Sequence, residues 1–437
     1  MTFCWKSTIN LAMLNLPVLQ WVSRDAALII SARGFRTFSQ SFVAILIFFY
    51  LKQLGYGILH VGVFLSVGVA GVAFFAFIVG LIAGKIGRRR LMVTFTLVSS
   101  ASALALIFAE NYWALLSLAF IGGLATGGGG GGESAAQPLE MASLPDTAPT
   151  ERRTELFAIY SIVARTGTAL GALAAGLPIL YQDSFGLSAI SSYKVMFLAF
   201  AAFQLVGALL YSRLSPAVEG APTQRQWTNP LKLPSRRIIF TLTGLFSVDT
   251  FTTSMVHQSL IAAWFNTKFG LEPWQLGQVF FLSHILTAIS MWVAAKLANK
   301  IGLLNTMVFT HIPSSLFFMV AVFAPTAWIA ILFWQLRAFM SQMDVPTKDS
   351  YTMAIVGPEE RVAMASMHMV SRSATGAFGP VVTTQIWTVF AASVPFVASA
   401  IVKIGYDLSL YALFRNVRPP EETRRRQQPA TAEEPVA

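Results

Sequence analysis

The stretch GLIAGKIGRRR, Gly80 to Arg90, decides how this chain folds. Its last six residues carry four cations, yet the sequence on each side of it is largely apolar. A helix needs about 20 apolar residues to cross a membrane, and each flank is long enough for that. We therefore predict two spanning helices joined by a short basic loop.

The composition of the whole chain is typical of an integral membrane protein. Of 437 residues, 55% are hydrophobic and 12% are charged, and the mean hydropathy is +0.62. Soluble domains carry about 25% charged residues. A single cysteine, Cys4, argues against a disulfide or a Cys-rich metal site. The net charge of +11 comes in short clusters between apolar runs, which favours a membrane rim over nucleic-acid binding.

Apolar runs and polar breaks predict an all-α membrane protein with twelve transmembrane helices in two six-helix bundles. A polar, Pro-rich linker at 215–237 separates an N-terminal half, 26–214, from a C-terminal half, 238–414. Residues 1–25 are expected to be a cytoplasmic leader and 415–437 a disordered cytoplasmic tail. The expected spans are 29–52, 59–83, 91–109, 112–134, 154–180, 191–212, 238–266, 273–297, 303–324, 326–347, 362–386 and 389–414.

The distribution of lysine and arginine predicts how the chain is oriented. With a cytoplasmic N-terminus, the 85–90 cluster, the linker and the tail all face the cytoplasm. Only Lys52, Lys194 and Lys268 then fall in outer loops. Cytoplasmic loops carry the excess of Lys and Arg, so both termini are expected to be cytoplasmic. We expect a multi-pass protein of the plasma (inner) membrane.

The two halves carry a weak internal repeat. Gly55, Gly62 and Gly87 have the same spacing, 7 and 25, as three later glycines, at 270, 277 and 302. At a shorter offset, Pro138 matches Pro346. Parallel repeats with a substrate site between them near the membrane midplane are an established transporter design.

The opening stretch resembles the signature loop between spans two and three of the major facilitator superfamily, written G-x-L-a-D-r-x-G-r-r. The matching positions are Gly80, Lys85, Gly87, Arg88 and Arg89. In that family the loop latches the halves in one gating state, so this resemblance implies a gating role for these residues. It also implies the twelve-helix fold and transport by alternating access.

The chain departs from the signature at Gly84, where the family has Asp. The usual charge relay would then lack its acidic end, and gating would rely on other contacts. A second resemblance, to a bacterial efflux-type branch, rests on segments around Pro138 and Pro346 and on the glycines of span five. Those glycines are Gly167, Gly171 and Gly176.

Charged groups inside spans are costly and mark candidate sites. At the repeat offset of 215, Asp249 falls opposite Gly34, between Arg33 and Arg36. We expect Asp249 to meet Arg33 or Arg36 across the central cavity and to exchange a proton or a cationic substrate for that partner. The alternatives are a fixed structural ion pair and, for Arg33, a side chain that reaches back to the cytoplasmic interface.

Three further residues are candidates for proton coupling or substrate binding: Glu133, Arg337 and His257. Glu133 ends a six-glycine run in span four. The alternative is that Glu133 lies at the cytoplasmic rim rather than at a proton site. Arg337 lies deep in span ten. His257 lies two turns from Asp249 on roughly the same face, whereas a lone histidine is more often a packing residue.

Two other acidic residues are given structural roles. Asp344, seven residues after Arg337, is expected to form a salt bridge at the rim. Lys403 and Asp407 are spaced i,i+4 and are expected to pair within the last span.

No enzyme motif is present in the sequence, and we expect no cofactor and no metal. The preferred function is secondary active transport of a small molecule, with protons as coupling ion and efflux by antiport. The alternatives are a uniporter or symporter for a small metabolite, and a membrane sensor that does not transport. We expect a monomer that binds lipid and a small-molecule substrate but no nucleic acid.

Overall fold

The computed structural model describes residues 21–124, 134–149, 152–219, 234–355 and 360–416. The first twenty residues of the expected leader and the tail from 417 lie outside this part of the chain. So do the glycine run with Glu133 and residues 220–233 of the linker.

The described residues before the linker form eight α-helices and two short 3₁₀ turns, at 144–147 and 216–219. Local sequence sets several helix starts, since Ser23, Asn111 and Ser188 each accept a hydrogen bond from a first-turn backbone N–H. The helices are α1 Arg24–Gln53, α2 Ile58–Ile86, α3 Arg88–Phe108, α4 Tyr112–Gly122, α5 Gln137–Ser143, α6 Arg153–Ala174, α7 Leu177–Phe185 and α8 Ala189–Ser212. We call α1–α8 the N-terminal group.

The described residues from 234 to 416 form nine α-helices, which we call the C-terminal group. They are α9 Arg236–Met255, α10 Gln258–Phe269, α11 Pro273–Ile301, α12 Leu303–Phe323, α13 Ala327–Met340, α14 Asp344–Ala354, α15 Arg361–Gly376, α16 Gly379–Val389 and α17 Val394–Phe414. Proline begins several of them, because the missing N–H costs nothing in a first turn.

Nine helical segments in the described part of the chain are long and apolar enough to cross a membrane. Two shorter apolar helices, α4 and α13, fall on two more of the expected spans. The observed architecture is therefore all-helical and membrane-spanning as predicted. The number twelve and the division into six plus six remain predictions.

Some expected spans are interrupted, and the span expected at 238–266 is an example. It is divided into α9 and α10 at Val256 and His257. The hydroxyl of Ser399 donates to the carbonyl of Thr252, and that of Thr383 donates to the carbonyl of Met255. Hydroxyls of neighbouring helices thus donate hydrogen bonds to backbone carbonyls near the break, which lipid could not do.

The repeated glycines have matching conformations in the two groups. Gly87 joins α2 directly to α3 with φ +98°, and Gly302 joins α11 to α12 with φ +91°. This backbone region favours glycine, which has no Cβ to clash. The second glycines of the repeat, Gly62 and Gly277, lie at contacts between the groups. A Cβ there would lie 1.9 Å from Thr384 Oγ1 and 2.6 Å from the Ala172 carbonyl oxygen, respectively.

Contacts between the two groups gather at the end of the molecule that holds Lys52. Lys52 Nζ donates to Asn266 Oδ1 at 3.0 Å, and the Val381 N–H donates to Ser66 Oγ at 3.0 Å. Ser259 Oγ also donates to the Ala44 carbonyl. At the opposite end, which holds the Arg88 loop, no described atom outside α2 lies within 4 Å of a Cβ placed on Gly80 or Gly84. The groups therefore close against each other at the Lys52 end.

We predict that Gly277→Val opens the Lys52 end, because the new side chain would overlap the Ala172 carbonyl. Overpacking of this kind costs about 1–3 kcal/mol, so the closed state should lose roughly tenfold in population. The measurement is the rate of maleimide labelling of Ser66→Cys in purified protein whose native cysteine, Cys4, is replaced by serine. Labelling should accelerate about tenfold.

The matched control is Gly405→Ala, since no described neighbour outside its own helix lies within 4 Å of the Cβ that it adds. It should leave the labelling rate unchanged. An unchanged rate in Gly277→Val as well would show that this contact does not hold the end closed.

Candidate functional site

Asp249 is buried inside the C-terminal group and bound by two lysines. Its Oδ2 lies 2.7 Å from Lys348 Nζ of α14, and its Oδ1 lies 3.0 Å from Lys403 Nζ of α17. Lys403 also donates to Thr253 Oγ1 at 3.1 Å. The side chain of Asp249 is only 6% exposed, so the lysines rather than solvent stabilise the carboxylate.

The ion pairs continue from Lys348 to a buried histidine. Lys348 Nζ lies 3.3 Å from Asp344 Oδ2, and Asp344 Oδ1 lies 3.0 Å from His311 Nε2. On its other side, His311 Nδ1 lies 3.2 Å from Asp407 Oδ1. These side chains form what we call the C-terminal charge cluster: Asp249, His311, Asp344, Lys348, Lys403 and Asp407.

The charge cluster is balanced only when it stores a proton. Three carboxylates face two lysines, which leaves one negative charge. A neutral imidazole donates through one ring nitrogen only, whereas both nitrogens of His311 face carboxylate oxygens. One proton, held either on His311 or on Asp407, satisfies both contacts and brings the cluster to neutrality. The cluster can therefore take up one proton, and release of that proton leaves one net negative charge inside the bundle.

The N-terminal group contains a smaller cluster around Arg36 of α1. Both carboxylate oxygens of Glu140 accept from the Arg36 guanidinium, with 2.8 Å between Nη2 and Oε2. Glu140 also accepts from the Tyr160 hydroxyl at 2.6 Å and from the Tyr211 hydroxyl. Both charged side chains are buried, and the Arg33 guanidinium lies over the Tyr160 ring, 5.0 Å from its centroid. A bidentate ion pair with two phenol donors on the carboxylate is a rigid arrangement.

Several expected pairings are therefore wrong. Asp249 binds Lys348 and Lys403 rather than Arg33 or Arg36, because each group supplies counter-charges from its own helices. Lys403 pairs with Asp249 and Asp407 pairs with His311, although Lys403 and Asp407 are one helical turn apart.

The rim position expected for Asp344 is also wrong, since its side chain is only 5% exposed and contacts His311. The Asp344 carboxylate can be buried because His311 and Lys348 both pair with it.

The repeat explains the relation between the two clusters. At the offset that matches Pro138 with Pro346, Glu140 corresponds to Lys348. Asp249 lies in α9 at the level that corresponds to the Arg36 region of α1. In the N-terminal group the Arg36–Glu140 pair joins α1 to α5, and in the C-terminal group the Asp249–Lys348 pair joins α9 to α14. The signs of the two charges are reversed between the groups. Comparison of these aligned positions could have indicated the role of Glu140 from the sequence.

The remaining candidates lie in different places. His257 caps α10, where its Nδ1 accepts from the Ser259 N–H at 3.3 Å. The Arg337 guanidinium lies 4.7 Å from the Phe318 ring centroid and 4.8 Å from that of Trp334. Glu133 lies outside the described residues.

The basic loop is bound to the start of the linker. The backbone N–H of Arg88 donates to Glu219 Oε2 at 2.5 Å, and that of Arg89 donates to Oε1 at 3.3 Å. Glu219 therefore caps the first turn of α3. The Arg88 guanidinium also contacts Asp146 Oδ2 at 2.9 Å. Glu219, an acidic residue of the linker, therefore contacts the Arg88 loop. In this chain the loop has Gly84 at the position where the family signature has Asp.

Comparison with known proteins now places the chain in a family. The sequence pattern of the Major Facilitator Superfamily matches residues 29–343. The chain belongs to this superfamily. The molecule is accordingly a membrane transporter rather than an enzyme, and its helices form the superfamily's fold.

Its relatives are distant. An uncharacterized membrane protein of Saccharomyces cerevisiae is 23% identical over 90% of this chain and 95% of its own length. A D-xylose transporter of Levilactobacillus brevis is 27% identical over 28% of this chain and 26% of its own length.

Solved structures share the superfamily fold at low identity. A bacterial homolog of the human lysosomal transporter Spinster, in an inward-facing and unoccupied conformation, has a TM-score of 0.70 at 14% identity. The match covers 95% of this chain and all of that one. The nucleoside transporter NupG has a TM-score of 0.67 at 14% identity, with 89% of this chain and 99% of that chain covered.

We predict that Glu140→Gln destabilises this transporter strongly, because Arg36 would remain buried without a counter-charge. Loss of one partner of a buried pair costs about 3–5 kcal/mol. The double variant Arg36→Met/Glu140→Gln removes the orphaned charge and should recover most of that loss. The measurement is thermal unfolding in detergent.

The control is Asp146→Asn, which breaks the more exposed pair with Arg88 and should cost about 0–1 kcal/mol. A double variant no more stable than Glu140→Gln alone would contradict the assignment of the pair as a buried charge couple.

Proposed function

We propose that this member of the superfamily exchanges protons for a small molecule and exports it, by alternating access between the two helix groups. The observation that carries the proposal is Asp249, a buried carboxylate held by two lysines in a cluster that can store one proton. Transfer of the stored proton from His311 or Asp407 to Asp249 would weaken the attraction of Asp249 to Lys348 and Lys403 and free α14 and α17 to move relative to α9.

The position of Asp249 supports coupling to the conformational change. It lies two turns before the break between α9 and α10. The helix beyond that break, α10, carries Asn266 and Ser259, which contact α1 at the closed Lys52 end. A change in how α9 packs would therefore be transmitted to contacts between the groups.

The resemblance to an efflux-type branch supports export as the direction of transport. The glycines of the resemblance to an efflux-type branch pack α6 against α1, where a Cβ on Gly171 would lie 2.0 Å from the Phe38 carbonyl oxygen. We place both termini in the cytoplasm, since the Arg88 loop, Arg237 and Arg415 are all at helix ends on the Arg88 side. We propose a monomer in the plasma (inner) membrane.

A second candidate is uptake of a small polar metabolite by symport or uniport. The partial similarity to a D-xylose transporter favours this candidate. The same closed end and the same charge cluster would serve a symporter, and only the direction of proton movement would differ.

The test is proton flux into sealed proteoliposomes while a panel of labelled small molecules is added in turn. We expect a substrate-dependent flux in the wild type and a decrease of at least about tenfold in Asp249→Asn, because the titrating group is lost. Exchange of labelled for unlabelled substrate should persist in the variant, since it needs no net proton movement. The direction of flux separates antiport from symport.

Glu155→Gln, at an exposed helix start, is the control and should keep the wild-type flux. A substrate that is transported without any proton flux would refute the coupling, give Asp249 a structural role and leave facilitated diffusion.

A further inference from the structure

The two groups pack against each other along α6 and α11. A Cβ placed on Gly277 of α11 would lie 2.6 Å from the Ala172 carbonyl oxygen. A Cβ placed on Gly176, just after α6, would lie 3.2 Å from the Trp274 Cβ near the start of α11. Residue numbers therefore fall along α6 as they rise along α11, so the two helices are antiparallel. From this close contact both helices extend toward the Arg88 end, α6 toward its first residue and α11 toward its last.

Arg165 of α6 and His284 of α11 meet across this contact. Arg165 lies seven residues before Ala172, and His284 lies seven residues after Gly277. Seven residues are nearly two helical turns, so each side chain lies on the same helix face as the close contact, about 10 Å from it along the axis. Because the helices are antiparallel, both positions fall at one level. The His284 imidazole accordingly lies close enough to interact electrostatically with the Arg165 guanidinium.

No described carboxylate balances the positive charge at this place. The Arg165 guanidinium interacts electrostatically with another cation, Arg33 of α1. Within the described residues, it forms no ion pair and no hydrogen bond. Nε2 of His284 is buried and has no hydrogen-bond partner there. Glu140, the acid of the neighbouring cluster, is already bound to Arg36 through both oxygens. A guanidinium and an imidazole nitrogen that lack partners inside the bundle need an acceptor that carries negative charge.

We propose that Arg165 and His284 bind the oxyanion group, carboxylate or phosphate, of a small organic anion that this protein transports. The guanidinium presents a planar fork of donors that fits either oxyanion, and the imidazole adds a donor from the other helix group. Both side chains are partly accessible, and they lie between the two groups, where transporters built from parallel repeats bind substrate. The inference rests on the proposed function, since it names the substrate class of that transport pathway.

The test is thermal unfolding of the purified full-length protein with pairs of probes that differ in charge. The pairs are acetate and acetamide, benzoate and benzamide, and glucose 6-phosphate and glucose, all at constant ionic strength in sodium chloride. We expect saturable stabilisation by at least one anion and none by its neutral partner, because the site binds ligand only in the folded state. Arg165→Gln should weaken the apparent affinity for that anion at least about tenfold, since it removes the charge that pairs with the oxyanion.

The matched control is Arg153→Gln, because Arg153 is an arginine of the same helix but is exposed at its start. It should keep the wild-type affinity. If Arg165→Gln does not fold, His284→Leu removes the donor of the other group and should weaken the affinity severalfold. Arg165→Lys keeps the charge without the planar fork and should weaken the affinity less than Arg165→Gln does.

Equal responses to every anion and its neutral partner would overturn the proposal. An anion affinity that is unchanged in both Arg165→Gln and His284→Leu would also overturn it. An anion that binds should exchange, labelled for unlabelled, across the wall of sealed proteoliposomes, and binding without exchange would contradict its assignment as substrate. Because thermal unfolding needs neither transport nor a proton gradient, its outcome is independent of the coupling assigned to Asp249.

Discussion

Lipid cannot solvate a charge, and this constraint determines where the ionisable side chains of this transporter can lie. Asp249, Asp344 and Asp407 are buried together with lysines and a histidine, and Glu140 is buried with Arg36. Apart from the Asp344–Lys348 pair within α14, the counter-charges come from other helices of the same group. The ion pairs therefore join the helices within each group and leave the contacts between groups free to break.

That separation suits alternating access. The contacts between groups at the Lys52 end involve a lysine–asparagine hydrogen bond, single hydroxyl–backbone bonds and glycines that let helices approach closely. Each of these contributes little on its own, about 0.5–1.5 kcal/mol for a hydrogen bond. A few such contacts hold one end closed, whereas the buried charge clusters keep each group intact during movement.

The sequence predicted the elements that depend on local composition. Apolar runs marked most spans, and the glycine and cations of the Arg88 loop marked the direct turn from α2 to α3. Partners in three dimensions were harder to predict. Asp249 was expected to meet Arg33 or Arg36 because the repeat aligns α9 with α1, but aligned helices need not face each other. The lysines that bind Asp249 come from α14 and α17, about 100 and 150 residues later in the chain.

Helix breaks were also missed, and for a related reason. Residues 245–266 contain no proline or glycine, so no helix-breaking residue marks the end of α9 at Met255. The break depends on hydroxyls of Ser399 and Thr383, which the fold brings from distant helices.

The most direct test of this account measures distances between spin labels at both ends of the molecule. One pair, Gln53→Cys with Thr267→Cys, reports the Lys52 end, and the other, Lys85→Cys with Arg237→Cys, reports the Arg88 end. Both are made with Cys4 replaced by serine, and spectra are recorded across pH and with transported substrate. We expect the first distance to lengthen as the second shortens, and Asp249→Asn to abolish the response to pH. A first distance that stays constant under every condition would contradict alternating access, and an unchanged pH response in Asp249→Asn would remove Asp249 from the mechanism.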